Sequence, residues 1–256
     1  MLATFRDYAE ALHSAEVATP QRSQGVGQSY YYKLDVKRFV ELTREERTWD
    51  ELGVPSSRNQ VLARTPDVCL TNSAATYLGL VAYVTLGHVP MTDEEMDLIE
   101  DIKPLLRKQG LPVSKPESYF TPAGRRNTPI IVMCEHQYLK HQLRFTEKHG
   151  ILDHERVLLY PEPGFDTESQ FIALTPRGEE LDGLLDSDPD LRRRAIEIGF
   201  RLYAPSGVNI SEPMLRVLDE HGVPAPGVTN DTIAFLPDAT RLERMIRMVG
   251  DCPAVS

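Results

Sequence analysis

Long apolar runs are missing from this sequence. No stretch approaches the ~20 consecutive apolar residues that a membrane-spanning helix needs. The first residues, MLATFRDYAEAL, lack the basic start, apolar stretch and cleavage site of a secretory leader, which read literally places the chain in the cytosol. A positive excess is missing too. The net charge is −10, and this argues against nucleic acid as a main partner, because phosphate binding needs a basic surface. Cysteine is scarce: Cys69, Cys134 and Cys252 are the only three, with no disulfide-framework spacing and, being odd in number, at least one free thiol. Cys69 and Cys134 lie in apolar runs and are expected to be buried thiols. There is no CxxC or HExxH, no GxSxG and no internal repeat.

What is present suits a soluble globular chain: 256 residues, 41% hydrophobic and 26% charged, enough for one or two domains with a large core. Leu2, Phe5, Tyr8, Ala9 and Leu12 fall at helical spacing, so residues 1–16 are predicted as a helix. Residues 18–27 are polar and read as a loop. Tyr30-Tyr31-Tyr32-Lys33-Leu34 suits a short strand better than a sugar-stacking face. Asp35 caps a helix through Phe39, Val40 and Leu42. A short helix is expected at 48–52, with Trp49 packed inside. Thr92 opens a helix to 109, with Asp93, Glu94 and Glu95 in its first turn and Pro104 as a kink or break. Residues 129–134 form the clearest buried strand, followed by a helix from Glu135 to His149. Further strands are expected at 156–160 and 171–174. Pro176 and Pro189 open helices, Asp188 caps the second, and helices at 213–221 and 239–249 close the chain. Strands followed by helices argue for an α/β fold with mainly parallel sheets and ligands at the carboxyl ends of strands.

Residues 65–80, TPDVCLTNSAATYLGL, are the most informative stretch. Asp67–Leu70 reads as a short strand, Thr71-Asn72-Ser73 as a polar turn with good N-cap residues, and 72–87 as a helix. A helix start carries unpaired N–H groups and about half a positive charge, which suits an anion or polar ligand. A plain capped helix explains the same residues.

The order and spacing of several strings resemble a type 2 periplasmic binding protein, of the bacterial extracellular solute-binding class. They are RTWDEL (47–52), TPDVCLTNSAATYLGLVAYV (65–84), IKPLLRKQG (102–110), TPIIVMCEHQYL (128–139), RVLLYPEP (156–163) and LTPRGEELDGLL…DPDLRRRAIEIGFR (174–201). The resemblance implies a two-lobed α/β fold in which the chain crosses from lobe one to lobe two and returns. Residues 1–163 would be lobe two. Residues 164–256 would be the return hinge strand, near 161–172, and the C-terminal helices of lobe one. The first part of lobe one, with its leader or membrane anchor, would precede the sequence given.

That resemblance also implies function: capture of a small polar solute in the interlobe cleft, outside the cell or in the periplasm, for a membrane transporter permease, by a monomer without catalytic activity, cofactor or metal. The ligand would meet Thr71, Asn72, Ser73 and Ala74 in the first turn, Glu135 with His136 at the end of the 129–134 strand, and Tyr160 near the hinge. Thr71 and Ser73 offer hydroxyls, and the amides of Ser73 and Ala74 offer donors. Glu135 could hold a cationic or hydroxyl group, or simply favour the helix dipole by ~0.3–1 kcal/mol. A membrane-tethered sensor or interaction module on the same fold is the alternative. A hydrolase built on Ser73, or on Glu135 with Asp67, has no supporting motif. His136 and His141 fall on different helix faces, so structural histidines are expected rather than metal ligands. Arg125-Arg126 and Arg192–Arg194 read as solvated faces.

Overall fold

Leu2-Ala-Thr-Phe5 forms strand β1 (Leu2–Phe5), buried along its whole length in the computed structural model. That model describes residues 1–21, 28–107, 119, 121, 125, 128–165, 171–203, 209–210, 212–226, 233–250 and 252. The expected helix over 1–16 is therefore shorter. It starts at Arg6 as α1 (Arg6–Ser14), because Leu2 and Phe5 bury themselves between two neighbouring strands instead of on a helix face. A short strand β2 (Ala18–Pro20) then occupies the start of the expected loop, whose residues 22–27 lie outside the described set. Strand β3 (Tyr31–Asp35) follows, and Tyr30, Tyr31 and Tyr32 are all buried, so they belong to the core rather than to a stacking surface. Asp35 caps α2 (Val36–Arg44) by accepting a hydrogen bond from the Arg38 amide at 3.0 Å.

Residues 48–53 form tight turns instead of the expected short helix. Trp49 is nevertheless fully buried there, edge-on to Tyr8 with ring centres 4.8 Å apart. Helices α3 (Asn72–Leu86) and α4 (Asp93–Arg107) come next. Pro104 lies inside α4 without ending it, and residues 108–110, the expected end of that helix, lie outside the described set. Strand β4 (Ile130–Val132) leads into α5 (Glu135–His149), and β5 (Arg156–Glu162) follows.

These strands make one five-stranded sheet in the order β2-β3-β5-β1-β4. β3 and β5 run parallel, whereas β1 is antiparallel to both β4 and β5, and β2 is antiparallel to β3. The sheet is thus open and mixed, not mainly parallel. β1 is inserted between β5 and β4, with Leu2 opposite Val132 on one side and Leu159 on the other. Thr4, buried in this strand, donates its hydroxyl hydrogen to the Pro129 carbonyl at 2.9 Å, so the core carries no orphan there.

The C-terminal part is helical, as expected: α6 (Pro176–Ser187), α7 (Pro189–Glu197), α8 (Glu212–Glu220) and α9 (Ala239–Val249), with a small ribbon of β6 (Leu202–Tyr203) and β7 (Asn209–Ile210). Thr175 and Asp188 cap α6 and α7 with their side chains, and both helices open on proline. α9 packs on α4 and α3 and buries Met245 and Val249. α6 buries none of its residues. The expected strand at 171–174 is not formed. Ile172 and Leu174 stand 72% and 87% exposed, and residues 171–174 are in no strand. At the expected hinge, β5 ends at Glu162 and Gly164 makes a single parallel bridge to Ile233.

Two further expectations change. Asp67–Leu70 is a turn, not a strand. The Asp67 carboxylate accepts from the Cys69 amide at 2.8 Å, and this local bond competes with an extended ladder. Leu70 is 76% exposed. Cys69 is no free thiol either: it forms a disulfide with Cys252, with Cα atoms 5.4 Å apart. Gly250, which ends α9, lies so close to this bridge that a Cβ would sit 2.6 Å from the Cys69 sulfur. Cys134 is the free cysteine and is half-buried.

Candidate ligand-binding site

Glu135 is the first residue of α5, placed there by the buried β4 strand that ends two residues before the Cys134 N-cap. The Gln137 side chain accepts a hydrogen bond from the Cys134 amide at 2.8 Å, which fixes the first turn. Three groups then converge. The Arg201 guanidinium grips the Glu135 carboxylate in bidentate fashion, Nε to Oε2 at 2.6 Å and Nη2 to Oε1 at 2.7 Å. The Tyr160 hydroxyl, from the buried middle of β5, donates to Oε1 of the same carboxylate. The ring of Tyr31, from neighbouring β3, lies 6.1 Å from that of Tyr160, and its own hydroxyl donates to the Pro224 carbonyl at 2.6 Å.

The electrostatics follow from this geometry. Burial works to raise the pKa of Glu135, but the hydrogen bonds and charge of Arg201, with the Tyr160 hydroxyl, outweigh it and hold the carboxyl below its ordinary value. Burial first, and then the Glu135 charge, push Tyr160 well above the usual phenol range, so it stays a donor. The Arg201 guanidinium is held still more firmly charged by Glu135. The cluster is an ionised pair with a neutral phenol attached, at the junction of α5, β5 and the segment that follows α7.

Glycine makes this approach possible. Gly199 has φ of +90°, and a Cβ there would sit 2.4 Å from the His136 carbonyl oxygen. Only a residue without a side chain lets the chain lie against the start of α5. The next residue, Phe200, stacks on the His136 ring at 4.2 Å and 13°, and Arg201 then reaches Glu135. Burial, and secondarily the nearby Lys140, lower the pKa of His136, favouring the neutral ring that stacks.

The expected site residues divide into two groups. Glu135 and Tyr160 are joined by a hydrogen bond, with His136 alongside but occupied by Phe200. Thr71, Asn72, Ser73 and Ala74 start α3, which packs on β4. Among the described residues, no hydrogen bond links these four to the Glu135 cluster. Asn72 is exposed, Thr71 and Ser73 are half-buried, and Ala74 is buried. The Thr71 hydroxyl donates to the Asp67 carbonyl at 2.8 Å, so it is not a free donor for a ligand. Thr71 makes no side-chain cap, which leaves the first-turn amides of α3 without that partner. Glu135 is not a free carboxylate either.

Arg201 is the residue that sequence reasoning missed as functional. It stands at the end of the GFR string that carried part of the resemblance, and its signal was an arginine placed just after a helix-stopping glycine. The histidine expectation holds for His141: it contacts Asp153 at 2.6 Å, and Asp153 also holds Arg156 at 2.7 Å, a structural network under α5. Among the described residues, no cluster of three or more His, Cys, Asp or Glu side chains is arranged to hold a metal ion. No described helix is long and apolar enough to cross a membrane. Comparison of the chain with protein-family models, with curated proteins and with solved structures returned no match.

Proposed function

We propose that the chain is a solute-binding protein of the type 2 periplasmic class, working outside the cell or in the periplasm, which holds a small polar ligand between two α/β lobes and delivers it to a membrane transporter. In this reading residues 1–163 form the second lobe, and residues 164–256 carry the return strand and the C-terminal helices of the first. The observation that carries it is the Glu135–Arg201 pair, with Tyr160 attached. A charged, half-buried cluster sits at the carboxyl end of a sheet strand and the start of a helix, where open α/β sheets place ligands. One partner comes from each of the two segments.

Arg201 satisfies Glu135. A ligand bearing an ammonium or hydroxyl group competes for the carboxylate, and one bearing a carboxylate or oxyanion competes for the guanidinium. The first-turn amides of α3, beside Asn72 and Ser73, supply donors to the ligand's other end. Closure of the lobes follows from contacts to both. The Cys69–Cys252 disulfide supports the location, since disulfides persist in oxidising compartments. The apolar side chains Leu181, Leu184 and Leu185 of α6 are exposed, a face open to a packing partner.

The same exposed face favours one other reading, a tethered sensor or interaction module on the same fold. A thermal-unfolding scan against sugars, amino acids, polyamines and oxyanions separates the two. Solute binding predicts that one class raises the midpoint, by about 2.7 kcal/mol of added stability at a hundredfold excess over Kd, and that Ser73→Ala or Glu135→Ala abolishes the rise. A sharp transition that no solute moves rejects solute binding in favour of the interaction module.

A further inference from the structure

The outer face of α5 carries a groove of about 460 Å³ whose lining is cationic. Lys140, Arg144 and Lys148 line it at i, i+4 and i+8, so their charges follow one another along about 12 Å of helix. Phe145 lies between them, its ring 4.4 Å from that of His149. No acidic side chain is among the described residues that line it.

The chain as a whole has net charge −10, and several arginines on other helices are matched to carboxylates: Arg38 to Glu16 and Asp35, Arg193 to Asp190 and Glu197, Arg244 to Asp93, Arg247 to Glu243. Among the described residues, Lys140, Arg144 and Lys148 have no carboxylate within ion-pair distance. Arg156, from β5, also lines the groove. Its side chain is nine-tenths buried, bonded to Asp153 and lying over the rings of Phe5 and Tyr119, so the charge open to a ligand is that of the Lys140–Arg144–Lys148 row. The nearby carboxylate, Asp153, is ion-paired with Arg156 and hydrogen-bonded to His141.

We propose that this groove is a binding site for a small polyanion, an oligophosphate-bearing ligand whose charges extend along the Lys140–Arg144–Lys148 row. The volume lies in the range of small-ligand pockets, roughly 300–1,000 Å³. The length of the row selects a chain of linked phosphates over a single one. The groove's lining begins at His136 and Gln137, next to Glu135, but its cationic row lies further along α5 and does not depend on the solute-binding reading.

The test uses the full chain and inorganic tripolyphosphate, with orthophosphate as comparison, by isothermal calorimetry at about 50 mM and about 300 mM salt, where the Debye length falls from about 14 to about 6 Å. The expected result is saturable one-to-one binding of tripolyphosphate, at least about tenfold tighter than orthophosphate and about tenfold weaker at the higher salt. Lys140→Ala with Lys148→Ala loses it, Lys140→Arg with Lys148→Arg keeps it, and Glu135→Ala keeps it. Lys148 is exposed and Lys140 half-exposed, and retention of the cooperative unfolding transition by the arginine pair secures the comparison. Absence of binding at low salt, binding unchanged in the alanine pair, or equal binding of the two phosphates overturns the proposal.

Discussion

Arg201 holds Glu135 with both prongs of its guanidinium, across 66 positions of sequence. The side chains are 30% and 13% exposed, so solvent screens the pair in part. Arg201→Ala is expected to cost about 1–3 kcal/mol, below the loss for a fully buried pair, because it leaves a half-buried carboxylate with only Tyr160. Arg201→Lys restores less than half of this, since a single ammonium cannot make the two parallel bonds. Urea unfolding of the two variants and of Glu135→Gln, closed into a double-mutant cycle, measures the coupling.

Acid will unfold the protein through Asp153 among others. Burial works to raise its pKa, but the hydrogen bond from His141 and the charge and hydrogen bond of Arg156 prevail, and it is lowered from 3.8 to about 2. A carboxyl depressed in the folded state stabilises that state above its unfolded pKa, and the contribution is lost as pH falls through the folded value. Asp153 thus contributes about 2 kcal/mol at neutral pH, fading between about pH 4 and 2. Asp153→Asn should remove that part of the acid dependence. A denaturation series from pH 7 to 2 on both proteins checks it.

Gly199→Ala is expected to destabilise by about 2–4 kcal/mol, combining strain at positive φ with a clash against the His136 carbonyl. Its specific signature is displacement of Phe200 from the His136 ring. Titration of His136 by NMR should therefore move up toward the usual imidazole range as its surroundings become wetter.

Reduction of the Cys69–Cys252 bond releases a loop closed over a separation of 183 residues. The chain-entropy account gives a loss of about 5 kcal/mol for a loop of this length, the upper end of the roughly 2–5 kcal/mol that removal of native disulfides costs. Unfolding midpoints with and without reductant should differ accordingly, and Cys69→Ser with Cys252→Ser should behave like the reduced protein. A thiol count of one in the unfolded, unreduced chain is expected from Cys134.

Local chemistry made the helices legible. Asp35 and Asp188 cap as expected, Thr175 caps α6 beside the expected Pro176 start, and Gly87 and Gly150 end α3 and α5 in the left-handed conformation. What was not legible depends on partners far away. β1 was hidden because Leu2 and Phe5 also fit the helical spacing of Tyr8, Ala9 and Leu12. Only pairing with Ile130–Val132 and Arg156–Leu159 makes them extended. Inserting that strand also turned an expected parallel sheet into a mixed one. The turn at Asp67 looked like a strand because Val68, Cys69 and Leu70 are apolar, yet one side-chain bond to the Cys69 amide decides it. The disulfide was missed for a similar reason: its second sulfur comes from a far end of the chain.

For the site, the sequence singled out Glu135 at a helix start and Tyr160 as the end of a strand that in fact runs on to Glu162, but their mutual bond and the hold of Arg201 on Glu135 were not legible. A carboxylate at a helix start reads the same whether free or paired. Only the close backbone approach at Gly199 tells that an arginine arrives there.

The place of β1 sets the order in which the protein can be completed during synthesis. Its Leu2–Phe5 segment is made before the other strands of the sheet, yet both its neighbours, Ile130–Val132 and Arg156–Glu162, come more than a hundred residues later. At about 5–20 residues per second, several to some thirty seconds pass between translating β1 and translating the second strand that flanks it. The sheet therefore closes around its oldest strand, and the growing chain carries four buried-to-be residues without a pairing edge for most of that interval.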